Sequence, residues 1–266
     1  MNVFWHELQM RRKGLIIWSI VMVIFMVMCM AKYEAIAGSG AGAIQLMMKG
    51  FPSTVQAVFG MNGLDLATVA GYFGVCFLFV AVILAVQAGL LGAGVLAEEE
   101  TDKTTEFLYV KPRSRTVIIT AKLVAGLVGV AVVWLFAVFG SIVGIVKFAK
   151  FGSFAPDFWW LMAALLLIQL TFFALGVLAV AISKKATIYG RVVAIAVFAS
   201  YLFYVFAKLS DQLSWLHYAS IFSWFDAAAI LQAHALKLHY VILSLVLTVI
   251  VLAAAYSFYN RRDLRV

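Results

Sequence analysis

Side chains able to do chemistry are few in this chain, and the densest group lies between two uncharged apolar stretches. It reads Glu98-Glu99-Glu100-Thr101-Asp102-Lys103-Thr104-Thr105-Glu106-Phe107-Leu108-Tyr109-Val110-Lys111-Pro112-Arg113-Ser114-Arg115 and holds five of the twelve acidic residues. Acids at 98, 99, 102 and 106 charge one side of a helix, while Phe107, Leu108 and Tyr109 offer apolar knobs. Pro112 ends such a helix, because it has no N–H for the carbonyl four residues back. This is the composition of a docking surface and contains no bond-making set. A solvated charged loop between two apolar stretches has the same composition.

The remaining inventory excludes most catalysis. No Gly-x-x-x-x-Gly-Lys-Ser/Thr run is present, so the chain binds no ATP through a P-loop. Neither His-Glu-x-x-His nor Cys-x-x-Cys occurs. The histidines are His6, His217, His234 and His239; the last two, five apart, miss a common helical face and read as interfacial side chains rather than metal ligands. No metal and no cofactor bound by this chain is expected. Cys29 and Cys76 fall inside apolar stretches with nothing to pair them and read as buried free thiols. Gln87 and Gln169 are the main polar residues deep in apolar stretches; either they line a translocation path or they hydrogen-bond between helices. Gly89-x-x-Gly92 and Gly140-x-x-x-Gly144 let helices approach closely, within one subunit or between two.

The elements that carry these residues follow from composition. The chain is 65% hydrophobic and 12% charged, with mean hydropathy +1.06. A soluble domain is about half apolar and a quarter charged, so this chain belongs in a bilayer. Six spans are expected, at about 15–31, 69–97, 117–146, 158–182, 188–207 and 239–259, in one all-α polytopic transmembrane domain covering 1–266. The first reads as an uncleaved helix, since Met28-Cys29-Met30-Ala31-Lys32 makes a poor signal-peptide site. With six spans both termini share a side, which carries 14 of the 20 Lys and Arg, so both termini are expected in the cytoplasm. The net charge of +8 then serves orientation and contact with anionic membrane lipid, and no nucleic-acid partner is expected.

Three segments outside the spans have their own character. Phe4, Trp5 and Leu8 share a face away from Glu7, Arg11 and Lys13, which predicts a short interfacial helix before the first span. Residues 51–60 and 212–236 are too apolar for free water. The second is expected to form a re-entrant helical hairpin containing Trp224, Phe225 and Asp226, or else to lie flat on the membrane.

Three stretches in order resemble membrane permeases of the type II ATP-binding-cassette exporter class. Glu98-Glu99, Thr104, Phe107-Leu108, Pro112-Arg113-Ser114-Arg115 and Lys122 are similar to that family's acidic helix, P-x-S-R turn and following lysine. Phe222-Ser223-Trp224-Phe225-Asp226-Ala227-Ala228-Ala229-Ile230-Leu231 is similar to the stretch before its last span, and Phe51-Pro52 through Phe59-Gly60 to its first outer segment. The resemblance implies two six-helix subunits, the same chain or two different ones, each resting on a separate cytoplasmic P-loop ATPase that holds the ATP and Mg. It makes Glu98, Glu99, Asp102, Thr104, Phe107, Leu108, Pro112, Arg115 and Lys122 the ATPase-coupling residues, and implies export of an amphiphilic or lipid-like cargo or a peptide antibiotic across a bacterial cytoplasmic membrane. In that scheme spans two and five shift against their counterparts and 212–236 acts as a lid. An ion-coupled carrier and a non-transporting immunity or sensory partner are the competing classes.

Overall fold

The computed structural model describes residues 3–38, 50–101, 115–183 and 188–261. Among the described residues the structure is all helix and turn. Six helices are long and apolar enough to cross a membrane. They are α1 (Val3–Gly38), α3 (Val69–Thr101), α4 (Arg115–Phe148), α5 (Ala155–Ile182), α6 (Tyr189–Leu209) and α10 (Leu238–Arg261). Shorter helices lie between them: α2 (Ser53–Val58) before α3, and α7 (Leu216–Ala219), α8 (Ile221–Trp224) and α9 (Ala227–Ala233) between α6 and α10.

The spans match the expected positions but run longer, because nothing at the membrane boundary forces a helix to stop. At about 1.5 Å per residue α1 extends about 54 Å against a hydrocarbon core of about 30 Å. Residues 4–13, expected as a separate interfacial helix, are the first turns of α1 with no break before the span. Glu7 and Arg11 are buried and Trp5 is 61% exposed. In lipid the apolar face points out and the polar face is what the protein must cover.

Helices α3 and α5 form the centre of the bundle and pack along each other, α1 lies along α4, and α10 lies along α5. Small residues set these distances. Met22, Met26 and Met30, all fully buried, run along α1 over Gly140 and Gly144 of α4; a Cβ at Gly140 would sit 2.7 Å from the Val23 Cα. Between α3 and α5, a Cβ at Gly92 would strike the Phe173 carbonyl and one at Gly176 the Gly89 carbonyl. Both glycine pairs therefore serve packing within this chain. Thr171 of α5 meets Ser244 of α10 at 3.0 Å and accepts from Thr248 at 3.3 Å, supplying interhelical hydrogen bonds. Cys29 and Cys76 are both free thiols.

The end of the bundle opposite the termini, called here the far end, is closed by the two inter-span segments. Gly60 and Gly63 take φ of +65° and +78°, turning the chain so that it lies against Ala228 and Gln232 of α9. The hydroxyl of Tyr201 donates to the Val58 carbonyl at 2.6 Å, tying α2 to α6. The 210–237 segment does not simply cross this end. The hydroxyl of Ser220 donates to the carbonyl of Ser200, about midway along α6, at 2.7 Å, and the Phe222 ring packs 5.5 Å from Phe172 in the second half of α5.

Candidate coupling site

The site develops where α3 leaves the core. Gly89, Gly92 and Gly176 let α3 lie tightly against α5, and the last turns of α3 continue the bundle's central helix. Those turns carry Glu98 and Glu99 on helical backbone, and Arg115 opens α4. Asp102, Thr104, Phe107, Leu108 and Pro112 lie outside the described residues, as does the turn expected at Pro112.

Immediately inside this point, three helices are joined by buried charge. The two oxygens of Glu7 take different cations: Oε2 lies 3.4 Å from Arg11 Nη2, and Oε1 lies 3.1 Å from Lys122 Nζ. Arg11 also donates to the Gly94 carbonyl at 3.1 Å, and Lys122 to the Val95 carbonyl at 3.2 Å. Glu7 and Lys122 are each at most 3% exposed. One carboxylate thus draws α1 and α4 onto adjacent carbonyls of α3, one turn before its acidic end. A buried ion pair is weak evidence of stability, because desolvation offsets its attraction, but breaking it from one side is costly. Whatever moves the end of α3 must carry α1 and α4 along or break this network.

Lys122, expected among the coupling residues, is buried in this network. Glu7 and Arg11 were missed. The signal was there, an acid and a base four apart on one helix, but the pattern alone does not say what that face meets.

The other candidates are elsewhere. Gln169 Nε2 lies 3.3 Å from Gln87 Oε1, both buried between α5 and α3, which is the interhelical geometry of the two readings. Of the hairpin residues, Phe225 is buried and Trp224 donates its ring N–H to the Tyr218 carbonyl at 3.1 Å. Asp226 has three partners: Lys208 Nζ at 2.8 Å, the Tyr204 hydroxyl at 3.0 Å, and the Ala229 N–H at 3.3 Å, which caps α9. His234, in the left-handed region, meets Asp157 through Nδ1 at 2.9 Å, and His217 Nε2 meets the Tyr240 hydroxyl at 2.7 Å. Among the described residues no group of three or more His, Cys, Asp or Glu is placed to hold a metal. Of the two helices expected to move against a counterpart, α3 is largely enclosed, whereas α6 presents Ile195, Phe198 and Phe206 outward.

No curated protein matches the chain. The family model described as "ABC-2 family transporter protein" matches residues 1–264. Six membrane-length helices and this match over nearly the whole chain agree: the chain belongs to the ABC-2 transporter family and is a multi-pass permease component of an ABC transporter.

Proposed function

We propose that this chain is the permease of an ATP-driven exporter in the cytoplasmic membrane, with both termini in the cytoplasm and the 98–115 segment docked on a separate P-loop ATPase. The ATPase holds the ATP and Mg; the chain itself is not catalytic. The observation that carries the reading is the Glu7–Arg11–Lys122 network, because it ties α1 and α4 to α3 directly behind the acidic segment. A push on residues 98–115 from ATPase closure is thereby shared by three helices instead of bending one. A second permease subunit meets this one along outward apolar faces such as that of α6. The 210–237 segment, dipping to mid-α6, forms a re-entrant lid at the far end. The apolar interior favours an amphiphilic or lipid-like cargo; the buried charges among the described residues, Glu7, Arg11, Lys122 and Asp157, lie toward the helix ends, which speaks against an ion-coupled carrier.

The test replaces Glu98, Glu99 and Asp102 with Ala in the reconstituted complex. ATP-driven transport falls at least about tenfold, the scale of a single lost charge-assisted contact or more, while membrane insertion and span topology persist. Unchanged transport would show that 98–115 is not the coupling element.

A further inference from the structure

The far end contains a cavity of about 490 Å³, within the size range of small-molecule sites. Its walls come from the end of α6, from α7 to α9, and from the first turn of α10. Neither the coupling reading nor the family match uses it.

Its charge is uneven. Lys208 is neutralised by Asp226 at 2.8 Å. Lys237, exposed at the opposite wall, has no ion-pair partner among the described residues. His217 is held neutral: burial, then Lys237, lower its pKa, outweighing the pull of Asp226. The cavity therefore has one uncompensated positive charge. The ammonium of Lys237 and the hydroxyls of Tyr218 and Ser214 provide hydrogen-bond donors around it.

The rim is aromatic. Trp215 and Tyr218 are 62% and 69% exposed at the mouth, and Trp224 stacks on Tyr240 in the wall with the rings 4° from parallel. Leu213 and Leu238, chain neighbours of the lining residues Ser214 and Lys237, are also exposed. All of this lies where α6 ends and α10 begins, the level at which amphipathic rings settle between headgroups and acyl chains. A freely soluble ligand needs no apolar shoulder, and a dication would meet Lys237. A dianion would exceed the single uncompensated charge of Lys237.

We infer that this cavity is a binding site for the singly charged phosphodiester headgroup of an amphiphile, with Lys237 as its charge partner and Trp215 and Tyr218 against its apolar part. The site is distinct from the coupling network at the other end of the bundle. Its occupancy does not rest on the coupling reading, and it can be measured with no ATPase present.

The experiment titrates the purified full-length chain in neutral detergent with short-chain phosphatidylglycerol, short-chain phosphatidylcholine and inorganic phosphate, following tryptophan fluorescence. Phosphatidylglycerol gives a saturable change. Lys237→Gln weakens it about tenfold or more, the scale of a lost charge-assisted contact, and Lys237→Arg retains it. Phosphatidylcholine and inorganic phosphate give no saturable change in the same range. An identical gel-filtration profile shows that Lys237→Gln is folded. An equal response to phosphatidylcholine, to phosphate alone or in Lys237→Gln would overturn the assignment, as would no saturable response to phosphatidylglycerol.

Discussion

Glu7 is the residue on which the termini end of the bundle turns. Its carboxylate lies between two buried cations, and the cations in turn reach two neighbouring carbonyls of α3. Removing it takes a buried partner from both Arg11 and Lys122. Glu7→Gln is expected to lower unfolding stability by about 3–5 kcal/mol, the cost typical of breaking a buried pair from one side. Replacing Glu7, Arg11 and Lys122 together by Leu is expected to recover part of that loss, because the three buried charges that face one another then leave together. Thermal or denaturant unfolding in detergent checks both, and a Glu7→Gln protein as stable as the parent would refute the network's structural role. At this scale the sequence was only partly legible. The Glu7-x-x-x-Arg11 spacing identifies a helix face but does not say whether that face looks toward water or protein. Nothing local to Lys122 shows that its partner lies at residue 7. Gln87 and Gln169 were legible as a pair of possibilities, and their 3.3 Å contact is the interhelical hydrogen bond.

Among the elements, α3 and α5 depend on backbone proximity. A Cβ at Gly176 would run into the Gly89 carbonyl and close on the Ala93 N–H, so Gly176→Ala must separate the two central helices. The expected loss is about 1–3 kcal/mol from overpacking. Gly190→Ala is the control, since its nearest neighbour would be the Leu90 Cδ2 at 3.9 Å. A lower unfolding midpoint for the first and not the second is the predicted pattern. Equal midpoints would mean that α3 and α5 do not need this contact. The spans themselves were readable, because some twenty uncharged apolar residues leave the backbone no alternative to a helix in lipid. Their ends were not, since hydropathy stops at the bilayer and helical hydrogen bonding does not: α1 begins at Val3 and α3 continues to Thr101. The division of 210–237 into three short helices was also hidden. Asp226 starts α9, but it is held by Tyr204 and Lys208 from the preceding span, a tertiary contact that no local pattern encodes.

At the scale of the whole molecule, the two ends have different chemistry. The termini end concentrates buried charge and the acidic segment; at the far end lies an aromatic-rimmed cavity that Lys237 helps to line. The centre between them is nearly free of charge among the described residues. That polarity suits a machine driven from one side and loaded or emptied at the other, and it was visible in outline as the 14-to-6 division of Lys and Arg. The most direct measurement of the central claim is recovery of the chain from its native membrane in mild detergent, with mass spectrometry of what accompanies it. A P-loop ATPase in stoichiometric amount, lost when Phe107 and Leu108 are replaced by Ala, is the predicted result. An intact chain with no ATPase, or an ATPase retained undiminished by the Phe107→Ala, Leu108→Ala protein, would contradict it.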